Sequence, residues 1–448
     1  MCEKKLEGIK VAILTLGCKV NSYESDAMMS LLTAEGAVNT AFEEKADVYI
    51  VNTCSVTNIA DRKSRQMLNR AKKENPSSVI IAAGCYIQAI SEKERDVLGI
   101  DGFVGNNRKD KIVDVVCRCL EERDMGIKTE EIVDISKEKE YEELENTDKT
   151  SHTRAYIKIQ DGCNQFCSYC IIPYTRGRIR SRDPENVIAE TERLVRMGYK
   201  EIVLTGIHLS SYTAYGQTGG EPLLMLMEEM AEIKGLERIR LGSLEPRIIT
   251  KEFAERLSQN KIVCPHFHLS LQSGSDTVLK RMNRKYDTAE YEMGCAELRR
   301  VYDDPAITTD IIVGFPGETD AEFGETCAFA KKVGFSKVHV FKYSRRRGTV
   351  ADRMPDQVEE EKKNLRSKEL IAIEEAMGRE YAGRFIGKIQ NILTEETEII
   401  DGAEYLTGYN ERYVRCAVPA CGMKTGDFIH AGGIEVRDNV LFCEREPV

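Results

Sequence analysis

Three short runs in the first hundred residues, VAILTLG (11–17), VYIVNT (48–53) and VIIAAG (79–84), are apolar at consecutive rather than alternate positions. A strand with one wet face would alternate, so these runs require parallel strands covered on both faces. Helix-like segments separate them, SYESDAMMSLLTAEG (22–36) and NIADRKSRQMLNRAKKENP (58–76), the second stopped by a proline. The pattern predicts an α/β domain over residues 1–120, a doubly wound parallel sheet with helices on both sides.

Residues 121–150 are highly charged and poor in large apolar side chains, which reads as an exposed linker. Six further apolar runs follow: AYIKIQDG (155–162), EIVLTGI (201–207), RIRLGSL (238–244), HFHLSLQS (266–273), AITTDIIVGF (306–315) and KVHVFKYS (337–344). With helical spacers between them they predict an open six-stranded (β/α)6 barrel over 151–378, because a closed eight-fold barrel usually needs about 250 residues. The charged segment Asp356–Arg384 carries Leu365, Leu370, Ile373 and Met377 at helical spacing and reads as an amphipathic connecting helix. Residues 379–448 turn to short β runs with glycine turns, the pattern of a small all-β barrel.

Composition limits the function. The 448 residues include 64 Lys and Arg against 74 Asp and Glu, a net charge of −10, so any nucleic-acid surface must be a local basic patch. No apolar run approaches the roughly 18 residues of a membrane helix, and MCEKKLEGIK lacks the apolar centre of a signal peptide. A cytoplasmic protein with no membrane contact is expected. An odd number of cysteines, 15, argues against a disulfide framework in such a compartment.

Six of those cysteines carry chemical information. Cys163, Cys167 and Cys170 lie in CNQFCSYC, directly after a barrel strand, at the end where such folds place their active sites. Three thiolates with no fourth cysteine or histidine nearby suit a four-iron cluster with one open iron; zinc or free thiols are the other readings. Cys18, Cys54 and Cys85 each follow one of the three strands of the first domain. The carboxyl ends of parallel strands lie along one edge, so the three would converge there; buried packing beneath turns is the alternative.

The segments GCKVNSYES (17–25), NTCSVTNIADRKSRQ (52–66), AGCY (83–86) and DGCNQFCSYCIIPYTRGRIRSR (161–182) resemble the radical S-adenosylmethionine methylthiotransferases over nearly the whole chain. Within that family GCKVN resembles the branch acting on N6-threonylcarbamoyladenosine in tRNA. The resemblance implies an N-terminal methylthiotransferase domain, a radical SAM domain and a C-terminal TRAM domain. It implies two [4Fe-4S] clusters: one on Cys163, Cys167 and Cys170 that binds S-adenosylmethionine, and one on Cys18, Cys54 and Cys85 that handles the inserted sulfur. A second S-adenosylmethionine would give the methyl group, and an electron donor is required. Thr205 and Gly206, after the second barrel strand, match the place where the family binds the cofactor's amino group.

Ser243 and Glu245 after the third strand, and Gln272 after the fourth, are further candidates for cofactor contact at the reactive rim. Arg176, Arg178, Arg180 and Arg182 alternate strictly, so an extended chain would turn all four toward one face and toward tRNA phosphates. Arg345, Arg346 and Arg347, after the sixth strand, are weaker candidates of the same kind. His266 and His268, two apart on a strand, suit a polar barrel lining better than zinc. Over residues 380–448 seven Lys and Arg face twelve Asp and Glu, an unfavourable balance for a domain expected to grip RNA.

The reading is an enzyme that inserts a methylthio group at C2 of threonylcarbamoyladenosine beside the tRNA anticodon. Its rivals are the same chemistry on isopentenyladenosine tRNA or a ribosomal-protein aspartate and, from another class, a non-catalytic RNA-binding protein stabilised by metal. Two trios of ligands count against the last, because incomplete coordination leaves a site open for chemistry.

Overall fold

The computed structural model describes residues 4–148 and 152–445. Cys2, a spare thiol in the sequence, and the expected domain boundary at 150/151 lie outside the described residues.

Six strands form one all-parallel sheet: β1 (Lys10–Thr15), β2 (Val38–Asn39), β3 (Val48–Thr53), β4 (Val79–Gly84), β5 (Gly102–Val104) and β6 (Thr129–Glu131), in the order β2-β1-β3-β4-β5-β6. Every residue of β3 and β4 is buried, as their unbroken apolar runs require. Two apolar layers cover the faces. Met28, Leu32, Val115 and Val116 fill one and Leu68, Ala71 and Ile87 the other, each large aliphatic side chain contributing about 1.5–3 kcal/mol. Helix Asn58–Glu74 begins where the Thr57 hydroxyl accepts the Ala60 N–H at 3.1 Å, and it stops before Pro76.

Over its described residues, 121–148, the charged stretch is not simply an exposed linker. It supplies β6, paired in register with β5 from Thr129 opposite Gly102. Leu144 is buried, and the carboxylate of Glu142 accepts the backbone N–H groups of Lys109 and Asp110. Glu142, one of the acids that made this stretch look solvated, is used inward, against buried donors, while Asp134, Glu140 and Asp148 are exposed.

The middle of the chain holds β7 (Ala155–Asp161), β8 (Arg180–Ser181), β9 (Glu201–Gly206), β10 (Arg238–Leu241), β11 (Ser243–Leu244), β12 (His266–Leu269), β13 (Ala306–Val313) and β14 (Lys337–Lys342). They form two four-stranded sheets, β10-β9-β7-β8 and β11-β12-β13-β14, parallel throughout except for β8. The run RIRLGSL is one strand in sequence but is divided at Gly242, whose N–H bonds back to Leu204 O at 2.9 Å. Both sheets share one apolar core, from Ile157 and Leu204 through Phe267 to Val313.

Helix Glu360–Gly383 leads to the last unit. Leu370 joins the core of the parallel sheets and Tyr381 that of the next unit, while Leu365, expected on the apolar stripe, is 65% exposed. Strands β15 (Ile389–Ile400), β16 (Ala403–Asn410), β17 (Arg415–Pro419), β18 (Phe428–Arg437) and β19 (Val440–Arg445) close into a barrel in the order β15-β16-β17-β19-β18. Among the described residues no helix is long and apolar enough to cross a membrane.

Candidate active site

Cys18, Cys54 and Cys85 follow β1, β3 and β4, which are neighbours in the sheet. Polar side chains lace the three strand ends together just beneath them. Asn21 Nδ2 donates to Leu16 O (2.7 Å) and Thr53 O (3.0 Å), and Asn52 Nδ2 donates to Asn21 O (3.0 Å). Thr53 Oγ1 donates to Ala83 O (2.5 Å) and accepts the Tyr86 N–H (3.2 Å). Gly17, at φ +108°, is needed where it stands: a Cβ there would lie 2.8 Å from Cys54 Cβ and 3.0 Å from its sulfur. Burial pushes the thiol of Cys54 up to about 12, and the neighbouring Cys85 and Cys18 add to the rise. Cys18, open to a cavity but hemmed in by protein, is raised for the same reasons. Three soft sulfur donors gathered at one sheet edge suit a metal cluster, which deprotonates its ligands outright.

The second trio lies on the loop after β7. Gly162, at φ +72°, starts it, and a Cβ there would strike the Arg178 carbonyl. Cys163 N bonds to Gly177 O at 3.0 Å and Cys170 N to Cys167 O at 3.0 Å. From the loop after helix Asp276–Arg281, Asn283 Nδ2 donates to Phe166 O (2.9 Å) and Arg284 Nη1 to Cys167 Sγ (3.2 Å). Burial raises Cys163 to about 11 and Cys170 to about 12, with Cys167 contributing to both. The donor set is soft, incomplete and braced from outside, which fits an iron cluster with an open iron.

A cavity of about 970 Å³ is lined by Cys18, by Ile172 from the turn after Cys170, and by Thr205, Gly206 and Ser243. The structure therefore brings three of the five expected cofactor contacts to one wall with Cys18. Glu245 faces an adjoining cavity with Ser210 and Arg247, its carboxylate 2.5 Å from Arg247 Nε. Gln272 is buried after β12 at φ 72°, its N–H bonded to Asp310 O at 2.8 Å. His266 and His268 both line the large cavity. His266 lies against Tyr413, 5.0 Å between ring centres, and burial holds it well below the usual imidazole range. His268 is fixed by Thr308 Oγ1 (3.0 Å) and faces Asp310 Oδ2 (3.3 Å). The C-terminal barrel closes one side of the cavity through Tyr409, Arg412 and Tyr413, and Arg238 and Arg240 of β10 hold it there through Asn391 O (2.5 Å) and Glu411 O (3.1 Å).

The four alternating arginines do not form a phosphate-binding face. Arg176, Arg180 and Arg182 are buried, and only Arg178 is exposed, its guanidinium 4.9 Å from the Phe166 ring centre. The stretch is not extended: it runs from helix Ile172–Thr175 through Gly177, at φ +73°, to the short β8, so a period of two does not apply. Arg176 binds Glu24 and Asp161, and Arg182 binds Glu143 and Glu190. Arg346 is likewise committed, to Asp61 Oδ2 at 2.8 Å and Ser55 Oγ at 2.7 Å near Cys54. Sequence reasoning passed over Lys19, Asn21 and Arg284. The first two stand beside Cys18 in sequence, but Arg284 is separated from Cys167 by 117 positions and carries no local signal.

Residues 10–105 match Uncharacterized protein family UPF0004, and residues 157–330 match the Radical SAM superfamily. A threonylcarbamoyladenosine tRNA methylthiotransferase of Bacillus subtilis is 42% identical over 412 residues, covering 90% of this chain and 89% of its own. The chain belongs to the radical S-adenosylmethionine methylthiotransferase family. A Thermotoga maritima relative of the same description is 38% identical over 441 residues, 98% of each chain. A tRNA-2-methylthio-N(6)-dimethylallyladenosine synthase of Clostridium novyi is 36% identical over 405 residues, covering 88% and 87%. The radical S-adenosylmethionine methyltransferase TsrM of Kitasatospora setae shares the fold at 13% identity, with a TM-score of 0.55 over 86% of this chain and 80% of its own. As a radical SAM methylthiotransferase, the enzyme uses S-adenosylmethionine and a [4Fe-4S] cluster.

Proposed function

We propose that this methylthiotransferase inserts a methylthio group at C2 of N6-threonylcarbamoyladenosine in tRNA, with two [4Fe-4S] clusters and an external electron donor. Cys163, Cys167 and Cys170 would hold the cluster that binds S-adenosylmethionine, and Cys18, Cys54 and Cys85 the one that handles sulfur. Given one electron from the donor, the first cluster would supply, with S-adenosylmethionine, radical chemistry able to take hydrogen from an aromatic carbon. The protein's part is placement. Thr205, Gly206 and Ser243 offer polar groups at the cavity wall, and Glu245 lines a second cavity. Arg284 donates a charge-assisted hydrogen bond to the Cys167 sulfur. His266, Tyr409 and Tyr413, packed on one another, form an aromatic edge of the cavity that helps to keep water out.

The observation that carries this reading is that Cys18 lines the same cavity as Thr205, Gly206 and Ser243. Ile172, two residues beyond Cys170 of the other trio, lines it too, which supports a reaction needing a radical and a sulfur at one carbon. Mass spectrometry of tRNA nucleosides from a deletion strain, with and without the gene restored, tests it. Loss and recovery of 2-methylthio-threonylcarbamoyladenosine is the expected result. Loss of the methylthiolated isopentenyl nucleoside instead would reassign the substrate.

A further inference from the structure

Four lysines and arginines line the large cavity: Lys19, Lys337, Arg412 and Arg415. Three are already matched, Lys337 by Glu374 (2.8 Å), Arg412 by Glu411 (2.7 Å) and Arg415 by Glu398. Lys19 has no carboxylate in ion-pair contact among the described residues. Its Nζ lies 5.9 Å from the Tyr413 ring centre, and Arg154 and Arg240 lie 4.9 and 4.8 Å from the same ring. The nearby acids are used: Glu201, Glu395 and Glu411 answer Arg154, Arg238 and Arg240. With Arg412 on Glu411, four arginines already share these three carboxylates, so Lys19 adds to a surplus of positive charge at the chamber.

A second feature points the same way. Lys19 is the first residue of the 16-residue helix Lys19–Ala34, which has no acidic residue in its first turn. The free N–H groups and the dipole of that end favour an anion.

The geometry points to Lys19, with the open first turn of its helix, as the binding site for the threonyl carboxylate of the substrate nucleoside. This rests on the reading above, in which C2 of the base must face the cluster on Cys18, Cys54 and Cys85. The carboxylate hangs from N6 of the same ring, so it is held within the chamber when C2 faces that trio. Lys19 follows Cys18 directly and is the cavity cation without a partner. An apolar N6 substituent would leave that charge desolvated and unmatched, which selects against it.

The test uses anaerobically reconstituted holoenzyme and three anticodon stem-loop RNAs, carrying N6-threonylcarbamoyladenosine, its methyl ester, or N6-isopentenyladenosine. Wild-type protein should bind the acid about ten- to a hundred-fold more tightly than the ester. Lys19→Gln should bind acid and ester alike, at the affinity of the ester, and Lys19→Arg should restore the preference for the acid. Affinity for S-adenosylmethionine, which also carries a carboxylate, should be unchanged in both variants. Equal binding of acid and ester by the wild type would overturn the assignment without any variant. So would a Lys19→Gln protein that weakened all three RNAs equally, as for a phosphate contact, or that lost S-adenosylmethionine instead. Failure of the underlying reading appears separately, as wild-type enzyme that leaves threonylcarbamoyl-tRNA unmodified.

Discussion

Arg176 and Glu24 meet in a two-point ion pair, Nη1 2.8 Å from Oε1 and Nη2 3.1 Å from Oε2, with both side chains sealed from solvent. Glu24 belongs to the helix that starts beside Cys18, and Arg176 closes the loop that carries Cys163, Cys167 and Cys170. The pair therefore fixes one trio of thiols relative to the other. Lys109, Lys158 and Asp161 complete the cluster, with Lys109 Nζ 3.1 Å and Lys158 Nζ 3.0 Å from Glu24 and Lys158 Nζ 3.3 Å from Asp161. A network of this kind adds little net stability over an apolar replacement, but it specifies one arrangement and punishes its own disruption.

Glu24→Gln should accordingly destabilise the protein by about 3–5 kcal/mol, because Arg176, Lys109 and Lys158 would all lose the buried carboxylate they share. Urea unfolding at neutral pH measures this. A loss below about 1 kcal/mol, the range of exposed ion pairs, would mean that water reaches the network.

The same carboxylates set a pH dependence. Burial alone would push Asp161 up, but Arg176 and Lys158 outweigh it and hold the carboxyl at about 2; Glu24 is held well below its usual value by Arg176, Lys109 and Lys158. A depressed pKa means that the folded state releases the proton more readily than the unfolded one. The stabilisation is thus complete above the unfolded value, near pH 4, and is lost as pH falls from there toward about 2. Urea midpoints should be insensitive to these groups between pH 5 and 7 and should fall steeply below about pH 4. Asp161→Asn should blunt that fall.

Replacing Cys18, Cys54 and Cys85 together by alanine should remove about half the bound iron and all methylthiolated product while leaving reductive cleavage of S-adenosylmethionine detectable. Replacing Cys163, Cys167 or Cys170 singly should abolish cleavage. Iron analysis and chromatography of 5′-deoxyadenosine separate the two outcomes. An unchanged iron content in the triple variant would leave only one cluster in the protein.

Both cysteine trios were legible because their signals are local. Apolar runs such as VIIAAG mark buried strands, and a cysteine at each strand end needs only the rule that parallel strands finish along one edge. The fate of Arg176 was not legible. Its partner Glu24 lies 152 positions earlier, and the turn at Gly177 that withdraws it from an extended path shows in sequence only as one glycine among many. The stretch 121–150 misled for a related reason: charge was read as exposure, whereas Glu142 and Glu143 are spent on buried donors and on Arg182.

Arg284→Met should shift the midpoint potential of the cluster on Cys163, Cys167 and Cys170 to a more negative value. The wild-type guanidinium lies 3.2 Å from Cys167 Sγ, and both its charge and its N–H favour the extra electron. Hydrogen bonds to the sulfur ligands are among the factors that set such potentials. Potentiometric titration followed by electron paramagnetic resonance is the direct measurement. An unchanged potential with a lowered melting temperature would reduce Arg284 to a brace for the loop.

The burial of the arginine series changes what its substitution should do to RNA binding. Arg178, exposed beside Phe166, is the member of the set able to reach a phosphate, so Arg178→Gln should lower the slope of log affinity against log salt by about 0.7–0.9 while leaving stability unchanged. Arg182→Gln should do the reverse. It removes the partner of Glu190 and Glu143 inside the protein, so unfolding should become easier while the salt slope of the protein that remains folded stays the same. Lys388, Arg412 and Arg415 are each tied to an acid, Lys388 to Asp304 at 3.3 Å and the others to Glu411 and Glu398. Binding isotherms across a salt series, run beside urea unfolding of each variant, distinguish the two behaviours. A Lys388, Arg412 and Arg415 triple variant with the larger loss of slope would place the main charge contacts on the C-terminal barrel despite its acidic balance.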